Sequence, residues 1–233
     1  MHTVKAALEE AMATIDRIDA HVLMAHVLGV NRAHLAANPM RVLTETEVLV
    51  DAALARLAPG ASCVDLGTGS GAIAVTLACE QPGAAVAATD ASAAALDVAR
   101  RNAAAHGCEI ELVEGSWFAP LAGRRFELVV ANPPYVAAGD AHLGEGDLRF
   151  EPAAALTDGS RDGLGSIRAI VAGAPSHLER GAWLLFEHGH DQAGAARALL
   201  TAAGFAEIVS IPDLAGVPRV AGGKIDTSTR RNP

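Results

Sequence analysis

The sequence predicts an α/β fold, a mainly parallel sheet with helices on both faces, preceded by a short α-helical module. Three observations carry that expectation. Beyond Asn38-Pro39, apolar runs short enough for buried strands alternate with longer stretches of helical periodicity, as repeated strand–helix–strand crossovers require. A glycine turn follows the run ending at Asp65 and an Asn-Pro-Pro turn follows the run ending at Ala131, and such sheets bind ligands beyond the carboxyl ends of their strands. Finally, 233 residues of which 51% are hydrophobic can bury one sizeable core and little beyond a small extra module.

Over residues 3–37 the apolar positions Val4, Leu8, Met12 and Ile15, then Val22, Leu23, Val27 and Leu28, recur at helical spacing. Residues 1–38 are therefore expected to form the helical module and 39–233 the α/β domain, with Asn38-Pro39 as the junction. A helix over 44–57 should end at Pro59-Gly60. Strands are expected at 61–65, 84–89, 109–114, 126–131, 182–187, 207–211 and 219–225, and helices at 72–79, 93–106, 166–178 and 192–203. Residues 137–165 are rich in Gly, Asp and Pro without periodicity, and are expected to loop over the rim of the sheet. Asp65 to Gly71, Asp90, Ser116 and Asn132 all close strands, so they converge on that rim.

A net charge of −9 and a pI near 5.4 argue against a broad electrostatic grip on nucleic acid. Arg100-Arg101, Arg124-Arg125 and Arg230-Arg231 are isolated pairs that read as solvated surface. Cys63, Cys79 and Cys108 are odd in number and widely spaced, so buried thiols in a reducing compartment are expected rather than disulfides. No apolar signal core or membrane-length run is visible, and a soluble cytoplasmic protein is the expectation.

Asn132-Pro133-Pro134-Tyr135 carries the chemistry. Two prolines stiffen the bend and present the Asn132 carboxamide oxygen beside the Pro133 carbonyl, a pair of acceptors suited to an NH2 group, while Tyr135 can lie flat against a planar amide or base. Upstream, Gly67, Gly69 and Gly71 allow tight turning and close backbone approach to a ligand. Gly67, Gly69 and Ala72 with Asp90 also satisfy a loose dinucleotide fingerprint, so an NAD-type site remains open, as does a merely structural turn. Asp65 favours another ligand. Its carboxylate would repel a pyrophosphate, whereas S-adenosylmethionine has no phosphate and brings a sulfonium and an ammonium.

Together these motifs resemble the HemK/PrmC family of release-factor glutamine methyltransferases. The likeness extends through Arg149-Phe150-Glu151-Pro152, Asp162-Gly163-Leu164, Phe186-Glu187-His188-Gly189 with Gln192, and Asp213-Leu214-Ala215-Gly216 with Pro218-Arg219-Val220. It spans residues 44–226, and more weakly the opening helices. The resemblance implies a class I S-adenosylmethionine-dependent, Rossmann-like methyltransferase that N5-methylates the glutamine of a Gly-Gly-Gln motif in a peptide-chain release factor. It implies that Asp65, Gly67, Thr68, Gly69, Ser70, Gly71, Asp90, Ser116, Trp117 and Asn132 hold the cofactor, with Asp90 on the ribose and Trp117 near the adenine. Asn132, Pro133, Pro134 and Tyr135 would hold the target glutamine, with Asn132, Pro133 and Tyr135 catalytic. No metal is implied.

Two departures stand out. The family's longer helical domain and hairpin linker are replaced by Arg41-Val42-Leu43-Thr44-Glu45-Thr46-Glu47 almost directly after the opening helices, so the linker reads as deleted. Ser116 stands where the family often has an acid for the adenine amino group, a loss of about 1–3 kcal/mol if that contact is buried. Three rivals are kept. An exocyclic amino group of a nucleic acid could replace the glutamine, with the acidic balance weighing against it. A non-catalytic cofactor-binding remnant could have lost its docking module. His188 and His190 could share a face as metal ligands, although no third ligand stands at familiar spacing.

Overall fold

The computed structural model describes residues 45–140, 153–213 and 215–225. The helical module expected over 1–38, with its junction, lies outside the described residues. Seven strands form one sheet: β1 Ser62–Leu66, β2 Ala85–Asp90, β3 Glu111–Glu114, β4 Phe126–Ala131, β5 Leu178–Glu187, β6 Phe205–Pro212 and β7 Pro218–Ile225, in the order β3-β2-β1-β4-β5-β7-β6. The first five run parallel. β7 is antiparallel to both β5 and β6. Its reversal follows from the short β6–β7 turn, where the Asp213 carboxylate accepts the Ala215 and Val217 amides, since a connection that short can join only antiparallel strands.

The helices are α1 Glu45–Leu54, α2 Ala72–Glu80, α3 Ala93–His106, α4 Ala153–Leu156, α5 Gly165–His177 and α6 Ala193–Ala202. Strand side chains alternate between faces, so two cores form. Val64, Leu66, Val129, Leu184 and Phe186 pack with Ile167, Ile170 and Ala174 of α5 and Ala196 and Leu200 of α6. Cys63, Leu128, Val130 and Leu185 pack on the other face with Leu49 and Ala53 of α1 and Ile73 and Leu77 of α2. The expected α/β architecture with helices on both faces is therefore observed.

α3 and β4 have the predicted bounds. β5 begins at Leu178 rather than 182, because buried Leu178 pairs with Phe126 across a register shift that the polar Glu179-Arg180-Gly181 stretch conceals in the sequence. The expected loop over 137–165 contains the short helix α4.

After β3 at one edge the chain returns to lay β4 beside β1, so the topology switches between β1 and β4. Leu66 pairs with Ala131 there. The next residues, Gly67 and Asn132, leave the sheet side by side at the place where a doubly wound sheet opens its ligand crevice.

Candidate active site

The turn between β1 and α2 is fixed by its own backbone and by neighbouring strands. Gly67, Gly69 and Gly71 have φ of 71°, 56° and 83°. A Cβ on Gly67 would meet the Trp117 ring at 2.9 Å, and one on Gly71 would meet Ala99 Cβ of α3 at 2.9 Å. These two glycines permit close packing on either side of the turn. The Gly67 and Thr68 amides both donate to the Thr89 carbonyl, at 2.8 and 2.9 Å. The buried Thr89 hydroxyl donates in turn to the Trp117 carbonyl at 3.1 Å, so one residue of β2 joins the glycine turn to the segment after β3.

Asp90, partly exposed at the end of β2, accepts the Gly69 amide on Oδ2 and the Ser92 amide on Oδ1, both at 2.8 Å. Each oxygen retains a further lone pair, which a pair of vicinal hydroxyls can use. Ser70 is exposed, and its carbonyl accepts from Asn102 of α3 at 2.8 Å. Ser116 is exposed. Trp117 is half-buried and adopts φ 48°, a left-handed conformation that a non-glycine residue holds only when its surroundings require it.

Asp65 is turned inward. It is 1% exposed, and its Oδ2 accepts the Thr68 hydroxyl at 2.6 Å. Burial pushes its carboxyl up to about 6, with the Asp90 charge adding to the rise and the hydrogen bonds from Thr68 and the Ala74 backbone opposing it. Its Oδ1 is buried and has no well-formed hydrogen bond among the described residues. The turn thus contains a costly buried acid and a second acid at its rim, an environment that suits a cationic, phosphate-free ligand and disfavours a pyrophosphate.

The Asn-Pro-Pro-Tyr bend leaves β4 beside this turn. Asn132 Nδ2 donates to Thr46 Oγ1 of α1 at 3.1 Å, and its Oδ1 receives no donor among the described residues. Pro133 is buried, while Pro134 and Tyr135 are half-buried. Tyr135 Oη donates to Glu187 Oε1 at 2.8 Å, and the Thr46 hydroxyl donates to Glu187 Oε2 at 3.0 Å. Glu187 is 2% exposed at the end of β5. The Tyr135 carbonyl is also held: Gln192 Nε2 donates to it at 2.9 Å and to the Asp162 carbonyl at 3.0 Å, while Gln192 Oε1 accepts the Gly189 amide at 2.8 Å. A Cβ on Gly163 would collide with the Tyr135 carbonyl oxygen, so that glycine lets the two loops touch.

The sequence gives Thr46 and Thr89 no role, and it marks Glu187 and Gln192 only as carriers of the family resemblance, with Glu187 also beside the histidines of the metal reading, not as holders of the Asn-Pro-Pro-Tyr bend. Glu187 and Thr89 close strands at the same rim as Asp65 and Asn132, a signal that could have found them. Nothing local in the sequence marks Thr46. His188 is fully buried, with Nδ1 2.8 Å from the Gly189 carbonyl oxygen, whereas His190 is exposed, so the two histidines occupy different environments. Among the described residues no group of three or more His, Cys, Asp or Glu could hold a metal.

Two families match the chain: Methyltransferase small domain over residues 41–159 and PrmC N-terminal domain over residues 1–61. A release factor glutamine methyltransferase of Burkholderia pseudomallei (strain K96243) is 44% identical over 265 positions that cover 91% of this chain and 93% of the relative. The chain belongs to the release factor glutamine methyltransferase family. That alignment is longer than the chain itself, so the relative carries segments that this family member lacks. A second member, from Xylella fastidiosa (strain Temecula1), is 54% identical over 183 residues, 77% of this chain and 66% of its own length, just under two thirds. The family's fold is shared more widely. The Thermus thermophilus 16S rRNA N2 G1207 methyltransferase, solved with AdoMet and guanosine, superposes with a TM-score of 0.59 at 19% identity, over 81% of this chain and 46% of that one.

Proposed function

We propose that this protein is an S-adenosylmethionine-dependent methyltransferase that modifies the side-chain nitrogen of the glutamine in the Gly-Gly-Gln motif of a peptide-chain release factor. One observation carries the reading: the glycine turn and Asn132 emerge side by side from the paired ends of β1 and β4, with the carboxamide Oδ1 receiving no donor among the described residues. Membership of the family supplies the substrate class. Residues 39–233 serve as the methyltransferase domain, residues 1–38 help dock the release factor, and the reaction takes place in the cytoplasm, where termination occurs.

The residues present fit the cofactor. Gly67 to Gly71 would hold its methionine portion, Asp90 would accept from the ribose hydroxyls, and Trp117 with Ser116 would border the adenine. Asp65 acts through Thr68 on the shape of the turn and adds negative charge beneath it. When bound, S-adenosylmethionine supplies an electrophilic methyl group on a sulfonium.

Asn132 Oδ1 and the Pro133 carbonyl accept the two N–H hydrogens of the target carboxamide, and Pro134 and Tyr135 confine its plane. An amide nitrogen is a poor nucleophile because its lone pair is delocalised. The two acceptors orient that lone pair toward the methyl group and favour the positive charge that grows on nitrogen during transfer. The proton can leave afterward, so no strong general base is needed.

The test is mass spectrometry of a release factor incubated with the protein and S-adenosylmethionine, alongside Asn132→Ala. One added methyl on the Gly-Gly-Gln glutamine is expected, with the variant slowed about 100- to 1,000-fold and cofactor affinity unchanged. Transfer only to a nucleic-acid amino group, or cofactor binding without transfer, would overturn the assignment.

A further inference from the structure

Asn132 is useful only if its carboxamide faces the right way, because a flipped side chain would aim its own NH2 at the NH2 of the substrate. The amide does not set that orientation by itself. Glu187 does so from the neighbouring strand through Thr46. Its Oε2 accepts the single proton of the Thr46 hydroxyl at 3.0 Å, leaving that hydroxyl only lone pairs to offer Asn132. Asn132 must answer with a donor, and Nδ2 lies 3.1 Å from Thr46 Oγ1. Oδ1 is thereby committed to the substrate side. Oε1 of the same carboxylate accepts from Tyr135 at 2.8 Å, so the aromatic ring that flanks the target is fixed from the same point. Burial of Glu187 to 2% exposure keeps water from competing for these contacts.

We infer that Glu187 and Thr46 are positioning residues that set the direction of the Asn132 carboxamide and the place of the Tyr135 hydroxyl. The inference rests on the reading that Asn132 accepts hydrogen bonds from a substrate NH2. Removal of the Thr46 hydroxyl leaves the amide free to flip. In Glu187→Gln, an N–H turned toward Thr46 would make the hydroxyl accept it and donate to Asn132 Oδ1, which reverses the whole chain of donors.

The experiment compares wild type, Thr46→Val, Thr46→Ser and Glu187→Gln by two readouts. The first is the Asn132 side-chain NH2 resonance in 15N-labelled protein, recognised by its loss in Asn132→Ala. It should move in Thr46→Val and Glu187→Gln and return in Thr46→Ser. The second is release-factor methylation, in which kcat should fall roughly 10- to 100-fold in the same two variants, with KM and cofactor Kd within about twofold, and recover in Thr46→Ser. An unmoved resonance, or unchanged kcat in Thr46→Val, would overturn the positioning role. A responsive resonance in a wild-type protein that methylates no glutamine would instead sink the glutamine reading while leaving the relay in place.

Discussion

At the scale of single residues, Asp65 shows how an acid can be retained at a cost. Its carboxyl is raised to about 6 by burial, so the folded state binds a proton more tightly than the unfolded chain does. The stability linked to this group is complete below about pH 4 and is lost as pH rises through about 6. Asp65→Asn removes the charge and keeps an acceptor for Thr68. Its stability relative to wild type should therefore improve by up to about 3 kcal/mol between pH 4 and pH 8, read as urea midpoints at both pH values. A difference independent of pH would mean that the acid is not perturbed as described. Gly71→Ala should act in the opposite direction. A φ of 83° and Ala99 Cβ at 2.9 Å oppose any side chain, and a loss of roughly 1–3 kcal/mol in urea unfolding is expected together with weaker cofactor binding.

At the scale of elements, Gln192 ties three loops together. Its carboxamide joins the Asn-Pro-Pro-Tyr bend, the Asp162-Gly163-Leu164 turn and Gly189 after β5. Those loops make further backbone contacts, Val136 N to the Leu156 carbonyl at 2.9 Å and Ala138 N to the Ser160 carbonyl at 2.8 Å. Gln192→Leu fills similar space and leaves these groups without partners. Hydrogen exchange should speed up at 135–138 and 156–164 while the strands keep their protection, and kcat should fall about tenfold or more at unchanged cofactor affinity. Uniform exchange across the whole sheet would show instead that Gln192 supports the fold.

For the whole molecule, the two cores make the sheet a stable platform on which the rim is mounted. Ile170 is fully buried in the core beneath α5. Ile170→Ala should cost about 2–5 kcal/mol in urea unfolding and leave cofactor Kd within about twofold, because the contacts that shape the rim lie at the strand ends. The placement of the site follows from topology. Gly67 and Asn132 adjoin because β4 returns beside β1, and no local property of either motif produces that adjacency.

Much of this was legible in the sequence because burial periodicity and turn chemistry are local properties. They located α3 and β4 at their observed bounds, marked the glycine turn and Asn132 as strand ends, and placed Asp90 within reach of the turn. The sequence by itself thus determined the class of fold and located the two motifs on which the proposed chemistry rests. Tertiary structure alone decided the antiparallel insertion of β7 between β5 and β6, the inward burial of Asp65, and the partners of the Asn132 amide. Thr46 meets Asn132 across 86 residues and Glu187 across 141. Contacts that distant depend on strand order and on which face a helix covers, and these are settled only when the whole sheet closes around its two cores.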